Sequence, residues 1–422
     1  MNKRQFIKDV LLTTMAAPLG MSAIAQSFKE KEKVPAIVLA KDEDFWLSIR
    51  NQYLLKPDYI NLENGYYNFI PQPLLEKLIE HIREVNYQGS WYMRTVQWEN
   101  KKKIAARLAG IAGCLPEELI ITRNATESLD LVIGGLDWTP GDEAIMAIQD
   151  YGSMLDMFEQ VRNRYGVVNI KVSLPLHPKN DEEIVNLYAN AITERTKVMM
   201  ISHMVNITGQ LLPVRKICDM AHAKGVQVIV DGAHAFAHSK YRIDEFNCDY
   251  YATSLHKWLS APLGAGFLYI NKKNTKKLWP LLADGEKDLS KINRLNHTGT
   301  HPVHTDLTIN DCIDYYEMIG AEKKEARMYF LQNYWTSKVR DLPRVMINTP
   351  AEFNRSCGIA NVGIEGISPG DLAKRLMNEH KVFTVAIDGA EVHGCRICPN
   401  VYTTTAELDT FVLAIKKLSN NA

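Results

Sequence analysis

The sequence has little cysteine, no excess charge of either sign and no uninterrupted apolar run long enough to span a membrane. Its seven cysteines are odd in number and scattered over 422 residues, which excludes a disulfide-stapled framework. The 49 basic and 49 acidic residues cancel, so a broad electrostatic surface for nucleic acid or anionic lipid is not expected. Hydrophobic residues make up 46% of the chain, as in an ordinary globular protein.

The amino-terminal residues differ in composition from the rest. A basic start at residues 3–8, KRQFIK, precedes a short apolar stretch that Pro18 and Gly20 interrupt, and Ala23-Ile24-Ala25 is a small-x-small cleavage pattern. This pattern predicts an export signal over residues 1–26. Its start resembles a twin-arginine signal with lysine in place of the first arginine. We therefore expect an exported or periplasmic protein that is not membrane-bound after processing.

Short apolar runs alternate with helical patterns between about residues 60 and 270, which predicts an α/β fold with a mostly parallel sheet. Four runs read as buried strands: 119–122, 144–148, 198–202 and 226–230. A helical pattern over 214–224 ends at Gly225, a residue typical of a helix C-cap.

The pattern changes after about residue 306. One long helical run over 311–339, several shorter strands and a closing helix over 405–418 predict a smaller α+β domain. The predicted organisation is an export signal at 1–26, an amino-terminal segment at 27–59 packing on the small domain, a large domain at 60–305 and a small domain at 306–422.

A polar or glycine-containing cluster follows each of the four predicted strands. In an open α/β sheet, ligands bind beyond the carboxyl ends of the strands, so these clusters predict one shared crevice. After the first strand, Asn124 is suited to cap a helix with Glu127 reaching back, as in a capping box. The N–H groups of Ala125 and Thr126 would then form an anion site suited to phosphate.

Asp231 and Lys257 are the two charges that this crevice must accommodate. A carboxylate at the end of a buried strand needs a partner, such as an arginine, a backbone N–H or a cationic ring nitrogen. Lys257 stands in TSLHKWLSAPLGAG, between a histidine and a tryptophan, where desolvation lowers the pKa of a lysine and makes it a nucleophile. A phosphate cup, a buried carboxylate and a lysine are the parts that hold pyridoxal phosphate (PLP).

The motif Ser254-x-His256-Lys257-Trp258-Leu259, followed by glycines at 264 and 266, resembles the lysine motif of class V aminotransferases, in their isopenicillin N epimerase-like branch. The resemblance covers about residues 55–418 and implies the fold of fold-type I PLP enzymes. It also implies that Lys257 forms the internal aldimine and that Asp231 pairs with the pyridinium nitrogen.

Further roles follow from the same resemblance. The implied phosphate contacts are Ala125, Thr126, Ser254 and His256, with Thr300 serving the neighbouring subunit of a homodimer. His234 and Asn206 are placed near the phenolic oxygen, and Tyr151 stacks on the cofactor ring. Arg396 is placed to hold the carboxylate of an amino-acid-like substrate, for which its planar fork is well suited.

Residues 380–394, ahead of the arginine strand, contain no cysteine, which disfavours the persulfide chemistry of cysteine desulfurases. Cys395 and Cys398 form a C-x-x-C pair that we interpret as structural, because positions i and i+3 of a strand face opposite sides. C–S lyase chemistry that needs no such cysteine stays open.

The favoured function is chemistry at the Cα of an amino acid or aminoacyl small molecule. Lys257, once displaced by the substrate amine, would act as the general base, and Asp231 would keep the cofactor ring cationic. Epimerisation, transamination and lyase chemistry share one carbanion, so these residues do not choose between them. Two alternatives remain: a cofactor-binding protein without catalysis, and an exported metallohydrolase using His234-x-x-x-His238 or the histidines at 297, 301 and 304.

Overall fold

The computed structural model describes residue 28 and residues 31–420. The predicted export signal lies outside the described residues. Within the described part of the chain, none of the helices combines the length and the apolar character that a bilayer crossing requires.

The secondary structure alternates as expected from the sequence. The strands are β1 (Ile60–Asn61), β2 (Leu119–Thr122), β3 (Glu143–Ala147), β4 (Val168–Val172), β5 (Thr196–Ser202), β6 (Gln227–Asp231), β7 (Tyr250–Ser254), β8 (Gly266–Ile270), β9 (Val345–Ile347), β10 (Ala360–Ile364), β11 (Val382–Phe383), β12 (Val385–Gly389) and β13 (Val392–Ile397). The helices are α1 (Ala36–Leu39), α2 (Glu43–Arg50), α3 (Gln72–Gln88), α4 (Ser90–Thr95), α5 (Gln97–Ala112), α6 (Ala125–Gly135), α7 (Gly152–Tyr165), α8 (Asp181–Ala191), α9 (Val214–Ala223), α10 (Val303–Ile319), α11 (Ala321–Val339), α12 (Pro369–His380) and α13 (Thr405–Asn420).

A seven-stranded sheet forms the centre of the fold, in the order β2-β8-β7-β6-β5-β3-β4. Its strand pairs are parallel except those that involve β8, which runs antiparallel to both neighbours. Helices cover both faces, since one hydrophobic cluster contains Met199 and Val228 and another contains Met200 and Ile229, their immediate neighbours along the strands. The predicted α/β class with a mostly parallel sheet is thereby confirmed.

The four predicted strands are present with ends within two residues of those expected. Helix α9 ends beside Gly225, whose φ of 77° is the left-handed conformation that glycine tolerates. The predicted clusters all lie at the carboxyl ends of β2, β3, β5 and β6, because these strands run in the same direction. The four clusters therefore line one crevice at this edge of the sheet.

A second, four-stranded antiparallel sheet has the order β12-β13-β10-β9. The single long helix predicted over 311–339 is wrong, since two helices, α10 and α11, meet at Gly320. Gly320 has a φ of 86°, which no helical residue adopts, so it ends one helix and begins the next. Helix α10 packs on α3 and α5 of the larger body, whereas α11 packs on α13.

The segment before β1 contacts the carboxyl-terminal part of the chain. Glu43 in α2 forms an ion pair with Arg327 of α11, and Arg50 binds Glu407 through two nitrogens. Strand β1 also pairs in parallel with β11. Strand β1 is thus paired within the carboxyl-terminal part of the chain. The residues that follow β1 run toward the crevice.

Candidate active site

Lys257 lies in the loop between β7 and β8, at the carboxyl edge of the large sheet. Its Nζ is 3.0 Å from Nε2 of His234. Burial lowers the pKa of Lys257 to about 8, although the nearby carboxylate of Asp231 acts in the opposite direction. Burial and the charge of Lys257 hold the pKa of His234 well below its ordinary value, so its imidazole is neutral. The pair supplies an amine that loses its proton easily.

The main chain around Lys257 is held by contacts from distant parts of the sequence. Asn68 donates from its backbone N–H to the carbonyl of His256 at 3.2 Å and from its side-chain amide to the carbonyl of Lys257. The ammonium of Lys324 donates to the carbonyl of Trp258. Three successive carbonyls are therefore fixed, which orients the lysine side chain. No local sequence pattern marks Asn68 or Lys324 for this role.

Asp231 is the last residue of β6, and its side chain is buried. Its Oδ1 accepts a hydrogen bond of 2.9 Å from the backbone N–H of Ala233. Burial raises the pKa of Asp231, and the Ala233 N–H and the charge of Lys257 oppose this effect. A carboxylate in this position is stabilised by a cation beside it, as predicted from the sequence.

The predicted phosphate cup is assembled at the start of α6. Asn124 Oδ1 accepts from Glu127 N at 2.8 Å, so Asn124 is the N-cap. Glu127 reaches back to the N–H of Arg123 at 2.6 Å, one residue before the predicted target. Ser254, at the end of β7, accepts from the N–H of Ala125 through its Oγ at 2.9 Å. The N–H of Ala125, which was predicted to serve the anion site, therefore donates to Ser254. The helix N-terminus at Ala125 and Thr126 still favours an anion through its backbone dipoles.

A close backbone contact fixes this cup. A Cβ at Gly266, the first residue of β8, would lie 2.7 Å from Cα of Asn124. His256 contributes a buried ring whose Nδ1 has no hydrogen-bond partner among the described residues. Burial lowers the pKa of His256 to about 4, so its ring is neutral and offers a hydrogen bond without a charge.

Two residues predicted to contact the cofactor, Tyr151 and Thr300, are exposed. Tyr151 immediately precedes α7 and is 43% exposed, so its ring faces an open space at the end of β3. Thr300 is exposed in the segment before α10, and no contact between it and the Lys257 cluster is recorded for the described part of the chain. Their roles stay predictions, and that of Thr300 depends on a second subunit.

Arg396 lies in β13, and the structure gives it a partner that the sequence did not indicate. Its Nε and Nη2 bind the two carboxylate oxygens of Glu63, at 3.1 and 2.5 Å. Its Nη1 donates to the backbone carbonyl of Asn206 at 3.2 Å. The predicted substrate arginine and the predicted cofactor contact Asn206 are therefore neighbours, with an internal carboxylate added.

The two cysteines of the C-x-x-C pair face different surroundings, as predicted. Cys395 Sγ lies 3.6 Å from the carbonyl of Pro369, whereas a Cβ placed on Gly65 would be 3.0 Å from Cys398 Sγ. Both thiols are free and buried. Burial raises the pKa of Cys395 to about 12 and that of Cys398 well above its ordinary value, so neither is a ready thiolate.

The histidine clusters do not form metal sites. His238 uses both ring nitrogens, with Nδ1 on the carbonyl of His234 at 2.9 Å and Nε2 accepting from Gly358 N at 2.8 Å. His297 and His301 each pair with one aspartate. Residues 31–420 contain no group of three or more potential ligands placed for a metal ion. The metallohydrolase alternative is not supported.

The residues at the crevice fit pyridoxal phosphate. The α6 N-terminus with Ser254 suits the phosphate, Lys257 the aldehyde and Asp231 the ring nitrogen. Nδ1 of His234 is buried with no partner among the described residues, which leaves a polar atom for a group bound there. The crevice thus brings together an amine that can act as a base, a buried carboxylate and a helix N-terminus that favours an anion.

Comparison with protein families supports this assignment. Residues 70–411 match the model of the family described as aminotransferase class-V. Isopenicillin N epimerase of Amycolatopsis lactamdurans is 27% identical over 396 residues, covering 89% of this chain and 98% of that protein. A probable cysteine desulfurase of Halalkalibacterium halodurans is 28% identical over 270 residues, covering 61% of this chain and 64% of that protein.

Solved structures share the fold. A C-DES mutant with glycine covalently linked to the PLP cofactor has a TM-score of 0.79 at 18% identity, covering 87% of this chain and 98% of that one. The apo cysteine desulfurase of Thermococcus onnurineus has a TM-score of 0.78 at 21% identity, covering 89% and 98% of the two chains. The chain thus has the fold of these enzymes over most of its length.

Proposed function

This chain belongs to the aminotransferase class-V family of enzymes, whose cofactor is pyridoxal phosphate, and we propose that it acts at the Cα of an amino acid or aminoacyl small molecule as an epimerase or aminotransferase. The observation that carries the proposal is the buried amine of Lys257, 3.0 Å from a neutral histidine and close to the carboxylate of Asp231. The isopenicillin N epimerases that resemble the chain over 89% of its length support the epimerase form.

Pyridoxal phosphate held by these residues would supply an electron sink for a carbanion at the Cα of the substrate. Lys257 serves as the base that takes the Cα proton, for which a pKa of about 8 is well matched to neutral pH. The carboxylate of Asp231 would favour a positive charge on the ring nitrogen of the cofactor. His234 forms a hydrogen bond with Lys257 without adding a charge. The α6 N-terminus and Ser254 would hold the phosphate of the cofactor.

C–S lyase or desulfurase-like chemistry is the second candidate, because cysteine desulfurases are also among the relatives and one solved structure of the same fold is titled a cystine C-S lyase. Persulfide transfer to a protein cysteine has little support in this chain. Residues 380–394 lack cysteine, and Cys398 is buried with a raised pKa. A lyase reaction without a protein persulfide fits these facts better.

Two further features of the working enzyme belong to the proposal. We propose that the protein is exported by the signal at residues 1–26, with the pattern at residues 3–8 as support. We also propose that it works as a homodimer in which Thr300 contacts the phosphate of the neighbouring site. Light scattering of the holoenzyme and fractionation of expressing cells are the measurements that check these two points.

The deciding experiment incubates the holoenzyme with single amino acids and aminoacyl amides in deuterated water. Deuterium incorporation at Cα without keto acid is expected for an epimerase, and keto acid with the aminated cofactor for an aminotransferase. Sulfide or pyruvate release from cysteine or cystine would favour the lyase. Lys257→Ala is the control, in which all three signals should disappear. Borohydride reduction followed by peptide mapping should place the cofactor on Lys257, and its absence there would reject the proposal.

A further inference from the structure

The guanidinium of Arg396 is already matched by a carboxylate of the same chain. The carboxylate of Glu63 binds Nε and Nη2 of Arg396. Only 9% of the Arg396 side chain and 3% of the Glu63 side chain are exposed. A buried, two-point contact between a guanidinium and a carboxylate is the strongest form of this interaction. Arg396 is therefore one half of a neutral pair and does not offer an uncompensated positive charge.

Glu63 is fixed in place by its own surroundings. Its Oε1 also accepts the backbone N–H of Tyr66 at 3.0 Å, and its backbone forms a parallel bridge with Cys398. Leu62 and Asn64, on either side, make backbone hydrogen bonds with Cys398 of 2.7 and 3.2 Å. The carboxylate thus belongs to the same frame as the arginine strand, and moving it aside would break several contacts at once.

The donors of Arg396 are largely used. A guanidinium has five N–H groups. Two bind Glu63 and one binds the carbonyl of Asn206, which leaves two, one on each terminal nitrogen. A substrate carboxylate could reach only these, and it would then be the second anion around one cation. An uncharged carbonyl oxygen can accept the same hydrogen bonds without that repulsion.

The chain segment of Glu63 reaches the backbone of Lys257, because Asn68 donates to the carbonyls of His256 and Lys257. The charges of Arg396 and Glu63 act in opposite directions on the pKa of Lys257, Arg396 lowering it and Glu63 raising it. Gly65 closes one side, since a Cβ there would be 3.1 Å from Cζ of Arg396. A group attached to the Cα of a bound substrate amine would therefore meet the Arg396–Glu63 ion pair. The net charge of this pair is zero, and it still offers N–H donors.

We propose that Glu63 is a specificity-determining residue that makes the site favour an amine whose neighbouring carbonyl is uncharged, as in an amide- or ester-linked aminoacyl group, over a free α-amino acid. This inference rests on the proposed function, because it assumes that the substrate amine reacts at Lys257. It narrows the substrate to an aminoacyl terminus of a larger molecule or to an amino-acid amide.

The test uses two probes that lack a Cα hydrogen and so bind without proton removal: 2-aminoisobutyrate and its carboxamide. Binding to the PLP-loaded protein is followed by the change in cofactor absorbance. For the wild type we expect the carboxamide to bind at least as tightly as the carboxylate. In Glu63→Gln the ratio should move by about tenfold or more toward the carboxylate, through tighter carboxylate binding, while carboxamide affinity changes little.

Glu407→Gln is the matched control, because Glu407 makes the same two-nitrogen contact with Arg50 away from Lys257. It should behave like the wild type. Weaker carboxylate binding or an unchanged ratio in Glu63→Gln would overturn the inference. If that variant does not fold, the wild-type ratio decides alone, and tighter binding of the carboxylate than of the carboxamide overturns the inference. A wild type that does not bind pyridoxal phosphate rejects the proposed function instead.

Discussion

The amine of Lys257 and Nε2 of His234 are 3.0 Å apart, and the imidazole of His234 is buried. Burial disfavours charge on each of these two groups, so the pair is most stable when it carries at most one positive charge. The loop of Lys257 contributes the amine and the end of β6 positions the imidazole. This contact couples the two segments that carry the predicted chemistry.

Cofactor capture by the apoenzyme is expected to speed up as the pH rises, with a midpoint at about 8, because the neutral amine of Lys257 is the reactive form. An ordinary lysine would give a midpoint near 10.4. Stopped-flow absorbance after mixing with pyridoxal phosphate measures the rate. Asp231→Asn should move the midpoint to lower pH, since the carboxylate stabilises the ammonium. A midpoint above about 10 in the wild type would contradict the buried environment.

Asp231→Asn is expected to lower kcat by about a hundredfold or more, because the variant no longer places a negative charge beside the ring nitrogen of the cofactor. Steady-state assays with the substrate found by deuterium exchange measure the effect, and absorbance titration measures retained cofactor. Asp249→Asn is the matched control, since Asp249 is also buried but precedes β7, at the opposite end of the strand from Ser254. Equal kcat values for the two variants would remove Asp231 from its proposed role.

Gly266→Ala is expected to weaken cofactor binding by about tenfold and to destabilise the fold by about 1–3 kcal/mol. The added methyl would lie 2.7 Å from Cα and 2.8 Å from N of Asn124, so the N-terminus of α6 must shift. Gly110→Ala is the control, because that site in α5 has no atom within 4 Å of the added methyl. This control should be slightly stabilised, as alanine favours a helix. Fluorescence titration and thermal melts of both variants provide the comparison.

Sequence reasoning succeeded where the signal is local. Buried strands appear as short apolar runs, and polar residues at their ends lie together because parallel strands share a direction. Asn124, Asp231 and Lys257 were found in this way, each from its immediate neighbours. The break at Gly320 was missed because the residues on both sides of it follow a helical pattern, and a glycine within such a pattern does not reveal its φ.

The rest of the site depends on contacts between distant segments. Glu63 lies 333 positions from Arg396, and Asn68 lies 189 positions from Lys257. A parallel bridge between Glu63 and Cys398, two residues after Arg396, brings the two side chains together. No periodicity within either segment encodes that register. The carboxylate that binds Arg396 therefore could not be predicted from the sequence.

The buried carboxyl of Asp150 should make the stability of the folded protein depend on pH. It follows β3, accepts from Ala147 N and Ser202 Oγ at 2.8 Å each, and is buried. Burial raises its pKa from 3.8 to about 7, with the charge of Asp231 adding to the effect. The folded state holds the proton more tightly than the unfolded state, so this contribution to stability is present at low pH and is lost as the pH rises through 7.

Asp150→Asn cannot ionise and preserves the shape, with its amide placed to donate to Ser202. Its melting temperature relative to the wild type should therefore rise between pH 5 and pH 8, because only the wild type must then ionise a buried carboxyl. Differential scanning calorimetry at the two pH values measures the change. Asp58→Asn, whose side chain is 67% exposed, is the control and should show a constant difference. A constant difference for Asp150→Asn as well would mean that Asp150 is already ionised in the folded protein at pH 5.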